Sequence, residues 1–352
     1  MRKTRLLQLV SVVLLVILAG CPPPEEEPAS ETQRRFDEVW TAFDEDYSYF
    51  TYKGIDWDDV RTRYRPDFKD DLTANEFAGR LSTMLDELHD WHVWVQRPDG
   101  EYLGYTGTYQ TNYPASIIQS YARGGAYTTL GDDVIFHADV SSGKDANPIA
   151  HIIIDTLDTE QFSSVSDTEI EALFVQYADA DGMILDIRAN SGGNENNAVK
   201  FASRFTDEPV VYGYTKTRNG PGHNDFAALV TKTLEPSTDT HYDGIVVGLI
   251  GQKCMSSAEW FTAMLRACPN VILIGDTTRG ASANPDVYSL ANGVNYSVSR
   301  WVAYAYDPFI ELSEIIEDNG IEPDFPIDPD LSYDDTHDYV LEEALDWIFA
   351  LH

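Results

Sequence analysis

Residues 244–266, GIVVGLIGQKCMSSAEWFTAMLR, decide how the rest of the chain is read. The run Ile245-Val246-Val247-Gly248-Leu249-Ile250 has the length and β-branched content of a buried strand. Gly251-Gln252-Lys253-Cys254-Met255 makes a polar turn, and a helix opens at Ser256-Ser257-Ala258-Glu259. A strand that turns sharply into a helix sets a hydroxyl at the positive end of the helix dipole, beside backbone N–H groups that no helical carbonyl can reach. A serine nucleophile and its oxyanion hole can be built together at such a junction. The same residues also spell a capping box, Ser256-x-x-Glu259, in which Ser256 only caps the helix.

Working outward, apolar strand patterns alternate with helical ones. Strands are expected over 149–154, 182–187 and 271–274. Ser166-x-x-Glu169 opens a helix that turns Ile170, Leu173, Phe174 and Tyr177 inward, and residues 194–205 read as another helix. This alternation predicts an α/β domain with parallel strands, whose functional loops follow the carboxyl ends of those strands. Upstream, 33–89 read as helical. Phe36, Val39, Trp40 and Phe43 share one face, and Thr73-x-x-Glu76 opens a helix carrying Phe77, Leu81, Met84, Leu85 and Leu88. A strand follows at 92–95. Residues 97–147, rich in Gly, Tyr and Thr and including Val134-Ile135-Phe136, read as a small β region. Residues 287–290 and 294–304 form a hairpin across Asn292-Gly293. Residues 339–351 form an amphipathic helix.

At the N-terminus Arg2, Lys3 and Arg5 precede a short apolar run that ends Leu18-Ala19-Gly20-Cys21, a secretory signal pattern too short for a membrane span of ~20 residues. The ending resembles a bacterial lipoprotein cleavage site, which implies a lipid on Cys21 and location in the cell envelope, facing the periplasm or the exterior. Residues 21–32, rich in Pro and Glu, read as a tether. Loss of residues 1–20 removes three cations and takes the formal charge from −35 to −38. Such a field repels DNA, RNA and anionic lipid. Cys254 and Cys268 flank one helix about 20 Å apart, too far for a disulfide, and both read as free. No Cys/His framework for a metal is present, and no cofactor is expected.

Three further stretches carry chemistry. Asp186-Ile187-Arg188-Ala189-Asn190-Ser191-Gly192-Gly193 follows an apolar strand, and its glycines let a backbone N–H approach a ligand. It lacks the spacing of a dinucleotide fingerprint and the lysine of a P-loop. Leu88-His89-Asp90-Trp91-His92 offers histidines, the side chain suited to take a serine proton near neutral pH. Glu317-Asp318-Asn319-Gly320-Ile321-Glu322-Pro323-Asp324 is a turn leading into an extended segment, with a carboxylate available to orient a histidine.

In this order the motifs resemble the tail-specific, or C-terminal processing, serine peptidases, and more closely the tricorn core peptidase branch. Thr277-Thr278-Arg279-Gly280 and the stretch with Asp56-Trp57 and Tyr64 belong to the same likeness, which covers nearly all of 33–350. It implies an α/β catalytic domain of the ClpP/crotonase type over 148–330, inside an overall α+β chain. A helical subdomain (33–96) and the small β region precede it, and a C-terminal helical segment (331–352) follows. No complete PDZ domain fits in 97–147. The resemblance implies Ser256 as nucleophile, His92 as general base and Glu317 as its distal carboxylate. Ser257 N–H and that of Gly192 or Gly193 would form the oxyanion hole. Two departures stand out. Ala281 occupies the place of the catalytic lysine of the other branch, so the base is His92 and not a lysine. Trp91 replaces the serine that links base to carboxylate in the tricorn branch, with Asp90 as a substitute link. The implied activity is hydrolysis of peptides or unfolded protein tails. The alternative is a non-catalytic lipoprotein that binds a peptide or apolar ligand on the same fold. An oligomer is compatible with the sequence.

Overall fold

The computed structural model describes residues 29–113, 126–141, 147–328 and 337–351. The expected signal segment, Cys21 and most of the expected tether lie outside these residues. The first helix, α1 (Glu31–Asp46), starts inside the last residues assigned to the tether, because Ser30 and Gln33 form a capping box there. Short α2 (Phe50–Lys53) and α3 (Trp57–Tyr64) follow, then α4 (Ala74–Leu85), opened by the Thr73–Glu76 box. Phe36, Val39, Phe43, Trp57, Phe77 and Leu81 are buried together. These helices cover a sheet that begins with β1 (Trp94–Gln96) and β2 (Tyr102–Gly104).

The described residues of 97–147 divide between two sheets. While β2 pairs with β1, the hairpin β3 (Thr128–Leu130) and β4 (Ile135–Asp139) adds antiparallel to β5 (Ile149–Ile154). The split follows from Val134 and Ile135, which bury in the core of the central sheet. Residues 114–125 and 142–146 of this region are outside the described set.

From β5 the expected alternation appears. Short α5 (Thr159–Phe162), then α6 (Asp167–Gln176) with its Ser166–Glu169 box, lead to β6 (Gly182–Asp186) and α7 (Glu195–Ala202). After β7 (Val210–Thr217) and β8 (Val230–Leu234) come β9 (Ile245–Ile250), α8 (Ser257–Ala267) and β10 (Val271–Gly275). The seven-stranded central sheet runs β15-β10-β9-β6-β5-β4-β3, with β15 (Phe325–Pro326) at one edge and parallel pairing from β15 through β5. Side chains on the two faces of its strands enter separate cores, as a sheet covered on both sides requires. Met183, Leu185 and Val246 pack against α6, α7 and α8. Ile184, Val247 and Leu249 pack against Val340, Ala344 and Ile348 of the terminal helix α9 (Tyr339–Phe349).

The expected strand over 294–304 is two strands that part at Arg300. β12 (Asn295–Ser299) pairs with β11 (Pro285–Ser289) and β1, whereas β13 (Trp301–Asp307) pairs with β7 and with β14 (Leu312–Ile315). A third sheet, β14-β13-β7-β8, results. It had no signature of its own in the sequence. No helix among the described residues is long and apolar enough to cross a membrane.

Candidate active site

The junction after β9 is a strained elbow. Ser256 has φ 57° and ψ −126°, a conformation that costs a non-glycine residue of order 1–3 kcal/mol. Three other helices open with a genuine box, and their caps Ser30, Thr73 and Ser166 all have extended backbone, with φ from −61° to −84°. Ser256 shares their sequence pattern but not their geometry, and its hydroxyl caps nothing. The capping reading therefore fails. Glu259 instead turns inward, where it accepts from the Thr278 hydroxyl at 2.7 Å and from the N–H groups of Gly280 and Ala281 at 2.6 and 2.9 Å. Burial lifts its carboxyl to about 7, against the pull of these donors. The turn it holds supplies the Ala281 carbonyl, to which Ser256 N–H donates at 2.6 Å. Glu259 thus braces the elbow from below.

The glycine loop lies directly on the elbow. A Cβ on Gly192 would sit 2.9 Å from Ser256 Cβ and 3.0 Å from Ser257 N, and one on Gly193 would strike the Leu157 carbonyl carbon at 2.1 Å. Both glycines have positive φ, so the sequence has no other residue to use here. The side-chain oxygen of Asn190 accepts the Gly192 N–H at 2.8 Å, while Ser257 Oγ donates to the Gly193 carbonyl at 2.7 Å. Among the described residues nothing accepts the N–H of Gly193 or of Ser257. Gly193, and not Gly192, has the free donor.

The Asp-x-Arg of the same loop has another task. Arg188, fully buried, donates to both oxygens of Asp186 (3.0 and 2.6 Å) and to both oxygens of Asp338 (2.7 and 2.8 Å). Burial alone would raise Asp186, yet the guanidinium holds it well below the usual carboxylate range. The clamp ties the end of β6 to the cap of α9, because Asp338 also accepts the Leu341 N–H.

His92 and Glu317 belong to a second buried cluster. Asp90 accepts the His92 backbone N–H at 2.8 Å, and Ser297 Oγ donates to the His92 carbonyl at 2.6 Å. Among the described residues neither ring nitrogen of His92 has a hydrogen-bond partner. Burial depresses its basicity, opposed by the charge of Asp90. Glu317 is fully buried, and Lys53 Nζ lies 3.0 Å from its Oε1 and 2.7 Å from Asp318. Burial first, then the Asp90 charge, push the Glu317 carboxyl well up, and Lys53 pulls the other way. The implied bond between Glu317 and His92 is absent; the carboxylate faces a lysine. The Arg279 guanidinium lies 4.4 Å from the centroid of the Trp91 ring, which lines a hollow with His89 and Tyr105. His89 is exposed where His92 is buried.

Backbone bonds couple the two groups of residues. Asp318 N–H donates to the Gly280 carbonyl at 2.9 Å, one residue before the carbonyl that holds Ser256. Ser256, Ser257 and Gly193 meet at one cleft, with Gly192 packed against Ser256, and Glu317 is joined to that cleft through the 280–281 turn. Lys53 and Asp338 were not legible as members of either cluster, since both partners lie far away in sequence. Cys254 and Cys268 are free and buried, as their spacing implied.

The peptidase family S41 model matches residues 154–327, which include the glycine loop, the elbow and Glu317. The chain carries a peptidase family S41 domain. A tricorn protease C1 domain model matches residues 28–86 ahead of it. The carboxy-terminal processing protease CtpA of Bacillus subtilis (strain 168) is 26% identical over 196 residues, 53% of this chain and 39% of that protein. The chain therefore matches about two fifths of that relative's length. A candidate peptidase structure from Parabacteroides merdae ATCC 43184 superposes with a TM-score of 0.76 at 26% identity, covering 91% of this chain and 97% of that one. Mature CPAF complexed with lactacystin shares the fold, with a TM-score of 0.67 at 11% identity over 91% and 99% of the two chains. The S41 domain fits the expected C-terminal processing family, with its helical region in front and its mixed sheet behind the elbow.

Proposed function

We propose that the S41 domain is a serine-type peptidase that hydrolyses peptides or unfolded protein tails, held at a cell-envelope membrane by a lipid on Cys21. The observation that carries this reading is the elbow itself. A strained serine whose hydroxyl caps nothing stands beside two backbone N–H groups that donate to nothing among the described residues. Ser256 Oγ attacks the peptide carbonyl, the N–H groups of Ser257 and Gly193 receive the developing oxyanion, and water later releases the acyl-enzyme. His92 takes the serine proton and passes it to the amine, which leaves as the C–N bond breaks. Its depressed basicity keeps the imidazole neutral at pH 7, the form a base requires. Asp90, whose charge already opposes the burial of His92, supplies the negative charge beside the imidazolium.

Turnover of peptides tests the assignment. His92→Gln is expected to lower kcat by about 10²–10⁴-fold. Because His92 is depressed, the acid limb of the wild-type pH profile is expected below the ordinary histidine value of about 6.5. A limb above that value, or an unchanged kcat in the variant, removes His92 from the mechanism. The unpartnered His92 ring favours one second reading, a binding protein that holds a peptide in the cleft without cleaving it. That reading expects saturable peptide binding with intact peptide recovered after long incubation.

A further inference from the structure

The cleft onto which Ser256 opens encloses ≈ 430 Å³, and its lining includes Gly193, Ser257, Trp260, Trp301 and Glu195. Trp260 stands one turn into α8 and meets Trp301 edge to face, with ring centroids 6.2 Å apart. Glu195, the first residue of α7, is the one charged side chain among the described residues of the lining. Its carboxylate is engaged from behind. Lys232 of β8 donates to Oε1 and Oε2 at 2.8 and 2.7 Å, and the Tyr212 hydroxyl also donates to Oε1. The Lys232 ammonium lies 4.7 Å from the Trp260 ring centroid, 5.1 Å from that of Trp301 and 5.8 Å from that of Tyr212. Three aromatic faces thus hold a fixed cation behind the cleft wall.

We propose that this cleft receives the side chain on the amino side of the scissile bond, and that the Glu195–Lys232 pair restricts it to uncharged residues, aromatic or amide-bearing. The inference rests on Ser256 being the nucleophile, since the nucleophile and both free N–H donors share this cleft. The partly exposed indole ring of Trp301, with Trp260 buried against it, gives a flat group surface to cover. Glu195 Oε2 has Lys232 as its single partner, which leaves a lone pair for a neutral donor such as an amide. An acidic side chain meets the carboxylate directly. A lysine or arginine gains little in return for its lost hydration, because the Lys232 ammonium behind the carboxylate cancels most of its pull.

The test is kcat/KM on a peptide set that differs only at that position, for the wild type, Lys232→Met and Glu195→Gln. Wild type is expected to prefer Phe, Tyr and Gln over Lys, Arg, Asp and Glu by about tenfold or more, as buried charge discrimination allows. Lys232→Met frees the carboxylate and is expected to raise Lys and Arg peptides about tenfold relative to Phe. Glu195→Gln, close to isosteric, is expected to relax the discrimination against Asp and Glu. An unchanged ranking in either active variant overturns the inference and leaves the Ser256 reading intact. Absence of turnover by the wild type on every peptide overturns that reading, and the inference with it.

Discussion

Ser256→Ala is expected to lower peptide turnover by about 10⁴-fold or more while leaving the thermal midpoint within a few degrees of the wild type. The loss is large because the hydroxyl is the reacting group, and removing one member of a unit of nucleophile and base costs nearly as much as removing both. Stability is expected to hold because the side chain makes no capping bond, and the backbone bonds of residue 256 survive in alanine. Alanine at φ 57° is no more strained than serine there. A capping serine would behave in the opposite way, losing about 1 kcal/mol of stability with turnover intact. Comparison with Thr73→Ala, where a genuine box exists, calibrates that difference within one protein.

Arg188→Met is expected to produce the largest loss of stability in the chain, about 3–5 kcal/mol, because it leaves Asp186 and Asp338 buried without their cation. Methionine fills much of the volume, so the cost is electrostatic. The pH dependence carries the sign. In the wild type Asp186 is depressed, so its contribution is complete above the unfolded carboxylate value of about 3.9 and is lost as pH falls through the lower folded value. Without Arg188, burial raises Asp186. The folded state then binds the extra proton, and stability falls as pH rises from about 4 towards the raised value. Urea midpoints of both proteins at pH 5 and pH 7 check this. A variant that loses no more at pH 7 than at pH 5 contradicts the clamp.

Much of the central sheet was legible because its strands are dense apolar runs. Residues 149–154 and 245–250 appear with the expected bounds. The third sheet was not, because β7 and β14 are held by their pairing with β13, and β8 by its pairing with β7, and they carry polar residues such as Thr215 and Lys232 in their midst. A long strand was expected to continue through Arg300, but the chain changes sheets there, and only three-dimensional neighbours decide that. Ser256 and the glycine pair, which the structure brings together, could be found from local pattern. What local pattern misjudged was backbone conformation. Ser256-x-x-Glu259 and Ser166-x-x-Glu169 look alike as strings, yet only the second is a box. The side chain of Glu259 chooses the 278–281 turn, twenty residues away, over the helix start. Lys53 at Glu317 and Asp338 at Arg188 are beyond any local reading, since each contact closes a loop of more than a hundred residues.

The most direct measurement is labelling of the folded protein with a fluorophosphonate, followed by intact mass and peptide mapping. A nucleophilic Ser256 is expected to take one adduct per chain, on Ser256 alone, with labelling slowed by His92→Gln and abolished by Ser256→Ala. Folded protein that stays unlabelled, or carries its adduct on another residue, contradicts the central claim.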